Sequence, residues 1–131
     1  MANGYQSREF APVPASGLNS TGTDIPKGTI VCRGAGDTIT VAGTDTAVFL
    51  GVAGELIKNG SWGRVVTEGV ALVLFNAAQT VGTRVTSAAA GKAAAATTGD
   101  SVLGIAREVG AQNELGEVEL TGPGGVAAPA I

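Results

Sequence analysis

Phe49-Leu50-Gly51-Val52-Ala53-Gly54-Glu55 recurs as Val102-Leu103-Gly104-Ile105-Ala106-Arg107-Glu108, with four of seven positions identical at an offset of 53. The same offset lays Gly63-Arg64-Val65 on Gly116-Glu117-Val118 and Gly69 on Gly122. Upstream the offset grows by one, and Gly28-Thr29-Ile30-Val31 falls on Gly82-Thr83-Arg84-Val85. Glycine holds phase best, and glycine is the residue a turn constrains most. Chance similarity is the competing explanation in a chain this rich in Gly, Ala and Val. Taken as a repeat, the pattern implies two copies of one β unit, over about 27–75 and 81–122, packed on a shared core.

Working outward, each unit reads as short strands divided by turn signals. Residues 30–32 are short and apolar, and 37–41 alternate with period two. The continuous apolar run 47–53 suits a strand buried on both faces. Lys58-Asn59-Gly60-Ser61 carries the strongest short hairpin signal, since Asn and Gly both tolerate positive φ. Strands are expected at 64–67 and 70–75, and in the second unit at 84–86, 93–98, 101–106 and 116–121. Residues 87–96 are contested. Alanine favours helix, but Gly91 interrupts the run and the repeat sets it opposite 37–41, so a hairpin with a weak strand is expected. A short helical turn near 76–79 is a further expectation.

Composition agrees with a small β domain. The chain has 131 residues, of which 21 are Gly, with 15% charged and 4% aromatic. That excludes a long-helix bundle, which is rich in Glu, Lys, Leu and Arg, and a charged disordered chain. The fold expected is all-β: a compact barrel- or sandwich-like domain of two similar units with an extended N-terminal arm. The arm is residues 1–24, the β domain 25–121, and 122–131 an irregular tail.

The chemistry of most function classes is missing. There is no His, the commonest general base and metal ligand. A single cysteine, Cys32, builds neither a disulfide nor a zinc site, and it reads as a small buried apolar residue. Glu117 and Glu119 share one strand face and read as solvated rather than as a catalytic pair. Gly34-Ala35-Gly36 lacks the rest of a phosphate loop. Catalytic residues, metal and cofactor are therefore not expected. The net charge is −3 and the eight Lys and Arg are dispersed, so nucleic acid is not an expected partner. No run of 18 apolar residues exists, and the N-terminus has no apolar signal core, so no membrane role is expected either.

The arm points to a protein partner instead. It holds Tyr5 and Phe10, two of the five aromatics, with Arg8 and Val13 beside them. Fixing about 24 residues costs on the order of 24–48 kcal/mol, which so few apolar groups cannot repay by self-packing. The arm is expected to stay mobile or to gain order on another protein, for example as an added strand with Tyr5, Phe10 and Val13 in pockets. Trp62, beside the hairpin tip, is a candidate interface anchor. Capping the core and stacking on a sugar are its alternatives.

Gly51-Val52-Ala53, Val65-Val66-Thr67-Glu68-Gly69-Val70, Gly82-Thr83-Arg84-Val85, the Ala/Gly/Thr-rich hairpin and Leu103-Gly104-Ile105-Ala106 together resemble the capsid cement, or head decoration, proteins of tailed bacteriophages. The resemblance runs from about residue 25 to 121. It implies a non-enzymatic structural protein on the outer surface of an icosahedral head. Its expected partners are the major capsid protein and neighbouring copies of itself, as a trimer or three-fold cluster. It also implies clamping of capsid subunits, with an arm reaching across neighbours. Two other readings stay open. One is a carbohydrate- or ligand-binding β module, because Ile25-Pro26-Lys27-Gly28-Thr29-Ile30-Val31 resembles the opening of antifreeze-like β-clip domains. The other is a different virion component, such as part of a fibre or spike.

Overall fold

A computed structural model describes residues 15–43, 49–97, 99–120 and 126–127. Tyr5, Arg8, Phe10 and Val13, named above for the arm, lie outside the described residues. The chain is all-β. The strands are β1 Ala15–Asn19, β2 Ile30–Arg33, β3 Thr38–Val41, β4 Phe49–Ala53, β5 Trp62–Val66, β6 Gly69–Leu74, β7 Arg84–Ser87, β8 Ala93–Ala95, β9 Ser101–Val102, β10 Gly104–Ala106, β11 Leu115–Leu120 and β12 Val126–Ala127.

The two units are real, and they divide between β5 and β6. In the first unit the barrel closes in the order β1-β3-β2-β4-β5. The second sheet runs β6-β11-β10-β7-β8, which is the same order of equivalent strands. Registers repeat as well. Ala15 pairs with Val65 and Leu18 with Trp62 in the first unit, Ala71 with Val118 and Leu74 with Leu115 in the second. Val31 faces Val41 and Gly51, and Val85 faces Ala95 and Gly104. Turn bonds match too: Thr29 N–H donates to Pro26 O and Thr83 N–H to Thr80 O, each at 3.2 Å.

This shifts several sequence expectations. The repeat is expected over 27–75 and 81–122, but β1 opens the first unit and β6 the second. β1 escaped notice because Ala-Ser-Gly-Leu-Asn has too little apolar content to show a period. The arm is expected to reach residue 24, but Ala15–Asn19 form a barrel strand, antiparallel to β5 and parallel to β3. Its order comes from this chain's own backbone bonds rather than from another protein. The tail contains β12, which pairs with β9. Leu103 breaks the expected strand 101–106 into β9 and β10. Residues 76–79 form no helical turn, only bends leading to the Gln79 bridge. The 87–96 stretch is the expected hairpin, with a 3₁₀ turn at Ala89–Gly91 ahead of β8.

Two glycines explain the sequence that betrayed the repeat. A Cβ on Gly51 would strike the Val66 carbonyl oxygen, and one on Gly104 the Glu119 carbonyl oxygen. Neighbouring backbone cannot yield there, so the fourth strand of each unit needs glycine. Glu55 and Glu108 recur because each carboxylate accepts the N–H of a strand residue, Arg64 at 3.0 Å and Glu117 at 2.9 Å. The Asn59-Gly60 turn differs from expectation. Ser61 N–H donates to Lys58 O at 3.0 Å, and only Gly60 has positive φ, +83°. Asn59 uses its side chain elsewhere, accepting the Gly22 N–H at 2.9 Å.

The cores are unequal. The first barrel is filled by Ile25, Val31, Ile39, Ala53, Ile57 and Val65. The second core joins Ala71, Val73, Phe75, Val85 and Val118 to residues from the first unit, Ile30, Ala42, Phe49 and Val52. Thus the outer side of β2 and β4 fills the second unit. Gly91 presses against Thr29, Ile30 and Val41 at this seam, and the Ser87 hydroxyl donates to the Ala42 carbonyl oxygen.

Gly51→Ala and Gly104→Ala are each expected to lower stability by at least the ~1–3 kcal/mol typical of overpacking. Gly43→Ala, where a Cβ meets open space, should be neutral or slightly stabilising. Urea midpoints at constant slope read the difference.

Candidate docking surface

Strand alternation decides which side chains reach the surface. Along β11, Gly116, Val118 and Leu120 point inward while Leu115, Glu117 and Glu119 are exposed, so the two glutamates do mark a solvated face. On β5 the inward residues are Gly63 and Val65, which leaves Trp62 and Arg64 outside. Trp62 is 58% exposed and stands opposite Leu18 across the β1–β5 pair. It does not cap the core; it is a large apolar side chain on the barrel's outer wall.

Further exposed aliphatics were not singled out from sequence. Val70, Leu72, Ile105 and Leu115 share the outer side of the second sheet. One row across it reads Val70, Glu119, Ile105, Arg84. Residues 70–75 are apolar at every position, so their sequence does not show which side is wet. Val81 and Val109, at 64% and 74% exposure, project from loops. The only warning in sequence was a valine within a turn.

An open depression of about 420 Å³ lies over Ser87, Ala88, Ala94, Ala95, Thr97 and Asp100. Asp100 is engaged in its own loop, accepting the Thr97 N–H at 2.8 Å and the Thr97 hydroxyl at 3.0 Å. Among the described residues no group of His, Cys, Asp or Glu is arranged to hold a metal ion. No helix there is long and apolar enough to cross a membrane. Cys32 is half-buried, and burial pushes its thiol above the ordinary value. The surface offers apolar contact area, and the side chains named here bring no nucleophile and base together.

No family model matches the chain, and no curated protein matches it in sequence. A solved structure shares its fold. The head fiber gp8.5 N base of bacteriophage phi29 superposes with a TM-score of 0.70 at 18% identity, over 83% of this chain and 93% of that one. At that identity the likeness establishes the fold and leaves the residues to be read on their own.

The raised Cys32 thiol has a pH consequence. Its contribution to stability is complete below the unfolded thiol's pKa. It falls as pH rises from there through the higher folded value, because the unfolded chain ionises first. Urea titrations of the native chain and Cys32→Ala should therefore converge or cross as pH rises above the ordinary thiol range. The native thiol should also react with a disulfide reagent more slowly than free cysteine at the same pH.

Proposed function

We propose that this chain is a structural protein of a bacteriophage head, a cement or decoration protein bound to the outer surface. The observation that carries the reading is the fold shared with the phi29 head fiber base along nearly all of that chain. The cement-like pattern of glycines and aliphatics, the missing catalytic chemistry and the exposed Trp62 support it. In this reading the chain clamps major capsid protein subunits, and residues 1–14 supply the arm, with Tyr5, Arg8, Phe10 and Val13 as contacts. Trp62 anchors a neighbouring protein, and copies gather as trimers or three-fold clusters. Each contact need be only modest, since copies on a closed lattice reinforce one another.

The shared fold gives a second reading specific support: the base of a head fibre instead of a free-standing cement. Copy number separates the two. A cement is expected in hundreds of copies per particle, a fibre base in fewer, and each fibre base carries a distal partner. The experiment is co-sedimentation of the purified chain with heads that lack it. The full chain is expected to bind, and deletion of residues 1–14, which spares β1, is expected to reduce occupancy severalfold. A full chain that stays in the supernatant would exclude the head-binding reading. Unchanged occupancy after deletion would remove the arm from it.

A further inference from the structure

Both units carry, at equivalent places, an arch of two loops: residues 20–28 with 54–61, and 76–82 with 107–114. In the first, Ile25 and Ile57 exchange both backbone hydrogen bonds at 2.9 Å. In the second, Gln79 and Gly110 do so at 3.0 and 3.1 Å. One backbone thus appears twice, and apart from Asp24, whose carboxylate accepts the Asn59 N–H at 2.9 Å, a side-chain difference between the arches is not demanded by the fold. The difference is systematic. Asp24, Lys27 and Lys58 of the first arch correspond to Ala78, Val81 and Ala111 of the second. Leu56 and Val109 are apolar in both.

The second arch therefore exposes an uncharged patch. Ala77, Ala78 and Ala111 are exposed with Val81 and Val109, and the Gln79–Gly110 bridge sets Ala78 across from Ala111. Arg107 and Glu114 border it, while Glu108 is held by the Glu117 N–H. An apolar centre within a charged rim is the anatomy of a protein interface. Exposed valine at such a level has no counterpart demand in the first arch, where the Val81 position is lysine.

We propose that the second unit's arch, centred on Ala78, Val81, Val109 and Ala111, seats on a head shell subunit, with the first unit's charged arch turned to solvent. This rests on the head-binding reading above. A shell subunit is the occupant because the patch is small. Its few short side chains fall well below the ~800 Å² per partner of a stable interface, so a free dimer built on it would not persist. A shell that holds many copies at once, each tethered by a second contact, needs no more than that from one patch.

The test installs the first arch's residues in the second: Ala78→Asp, Val81→Lys and Ala111→Lys together, and Val81→Lys alone. The first unit already carries these residues on the same backbone, and an unchanged melting midpoint confirms the fold. The matching first-arch variant is Lys27→Val with Lys58→Ala. On heads lacking the chain, the triple variant is expected to lose tenfold or more in apparent affinity and Val81→Lys severalfold. The first-arch variant should bind as the unaltered chain does. If the unaltered chain binds and the triple variant matches it, the arch is not the seat, and the head-binding reading survives. If the unaltered chain does not bind, both fall. Sedimentation velocity that finds dimers of the free chain dissolved by the triple variant would give the patch to a second copy and overturn the proposal.

Discussion

The first strand of each unit needs a partner on both sides, and the two units meet that need differently. In the first, β1 lies between β5 and β3, and Leu18 N–H donates to the Asp37 carbonyl oxygen at 2.9 Å. The barrel is closed and has no edge left to pair. In the second, only the bridge between Phe75 and Ala93 marks the equivalent closure. Leu74, the counterpart of Leu18, sends its N–H across to Gly28 O of the first unit at 3.0 Å. That opening is what lets Ile30, Phe49 and Val52 enter the second core. A closed barrel and a nearly closed one therefore make a single body, with one core shared.

The same asymmetry appears in packing. Asn19 of the first unit is fully buried, and its amide donates to Thr23 O and Ile57 O at 2.8 Å each. Ile57 fills the space beside it against Gly63. In the second unit Phe75 takes the Asn19 position, and glycine stands at both 110 and 116, where a Cβ would collide with its ring. A large side chain has moved from Ile57, in the loop after β4, to Phe75, just past the end of β6, while the filled volume is kept. Such exchanges erase identity without altering the fold. They also explain why the repeat shows best at Gly51 and Gly104, where backbone meets backbone and no exchange is available.

What was legible follows from this. Strands with an alternating pattern or a forced glycine could be read directly, as could the hairpin at 87–96, because its glycine and the repeat outweighed the helix preference of alanine. β1 could not, since its order comes from pairing with β3 and β5, strands that start about 20 and 45 residues further on, and its own composition is that of a loop. The surface was harder still. Trp62 drew notice as the single tryptophan, whereas Val81 and Val109 gain meaning only when the backbone places them on the same positions as Lys27 and Leu56.

The two units differ in what their outer sides can pack against. The outer side of the first unit, with Ile30, Cys32, Val52 and Val66, is packed on the shared core. The equivalent positions of the second unit are Arg84, Thr86, Ile105 and Glu119. Two of these four are charged and exposed, so a third unit could not pack there without burying them. The first barrel, closed by β1, in turn offers no opening to receive another unit. Head-to-tail growth, the route by which repeated heterologous contacts make fibres, is blocked at both ends. Among the described residues strand addition is confined to short edges, which leaves the side-chain surface as the larger area open to contact.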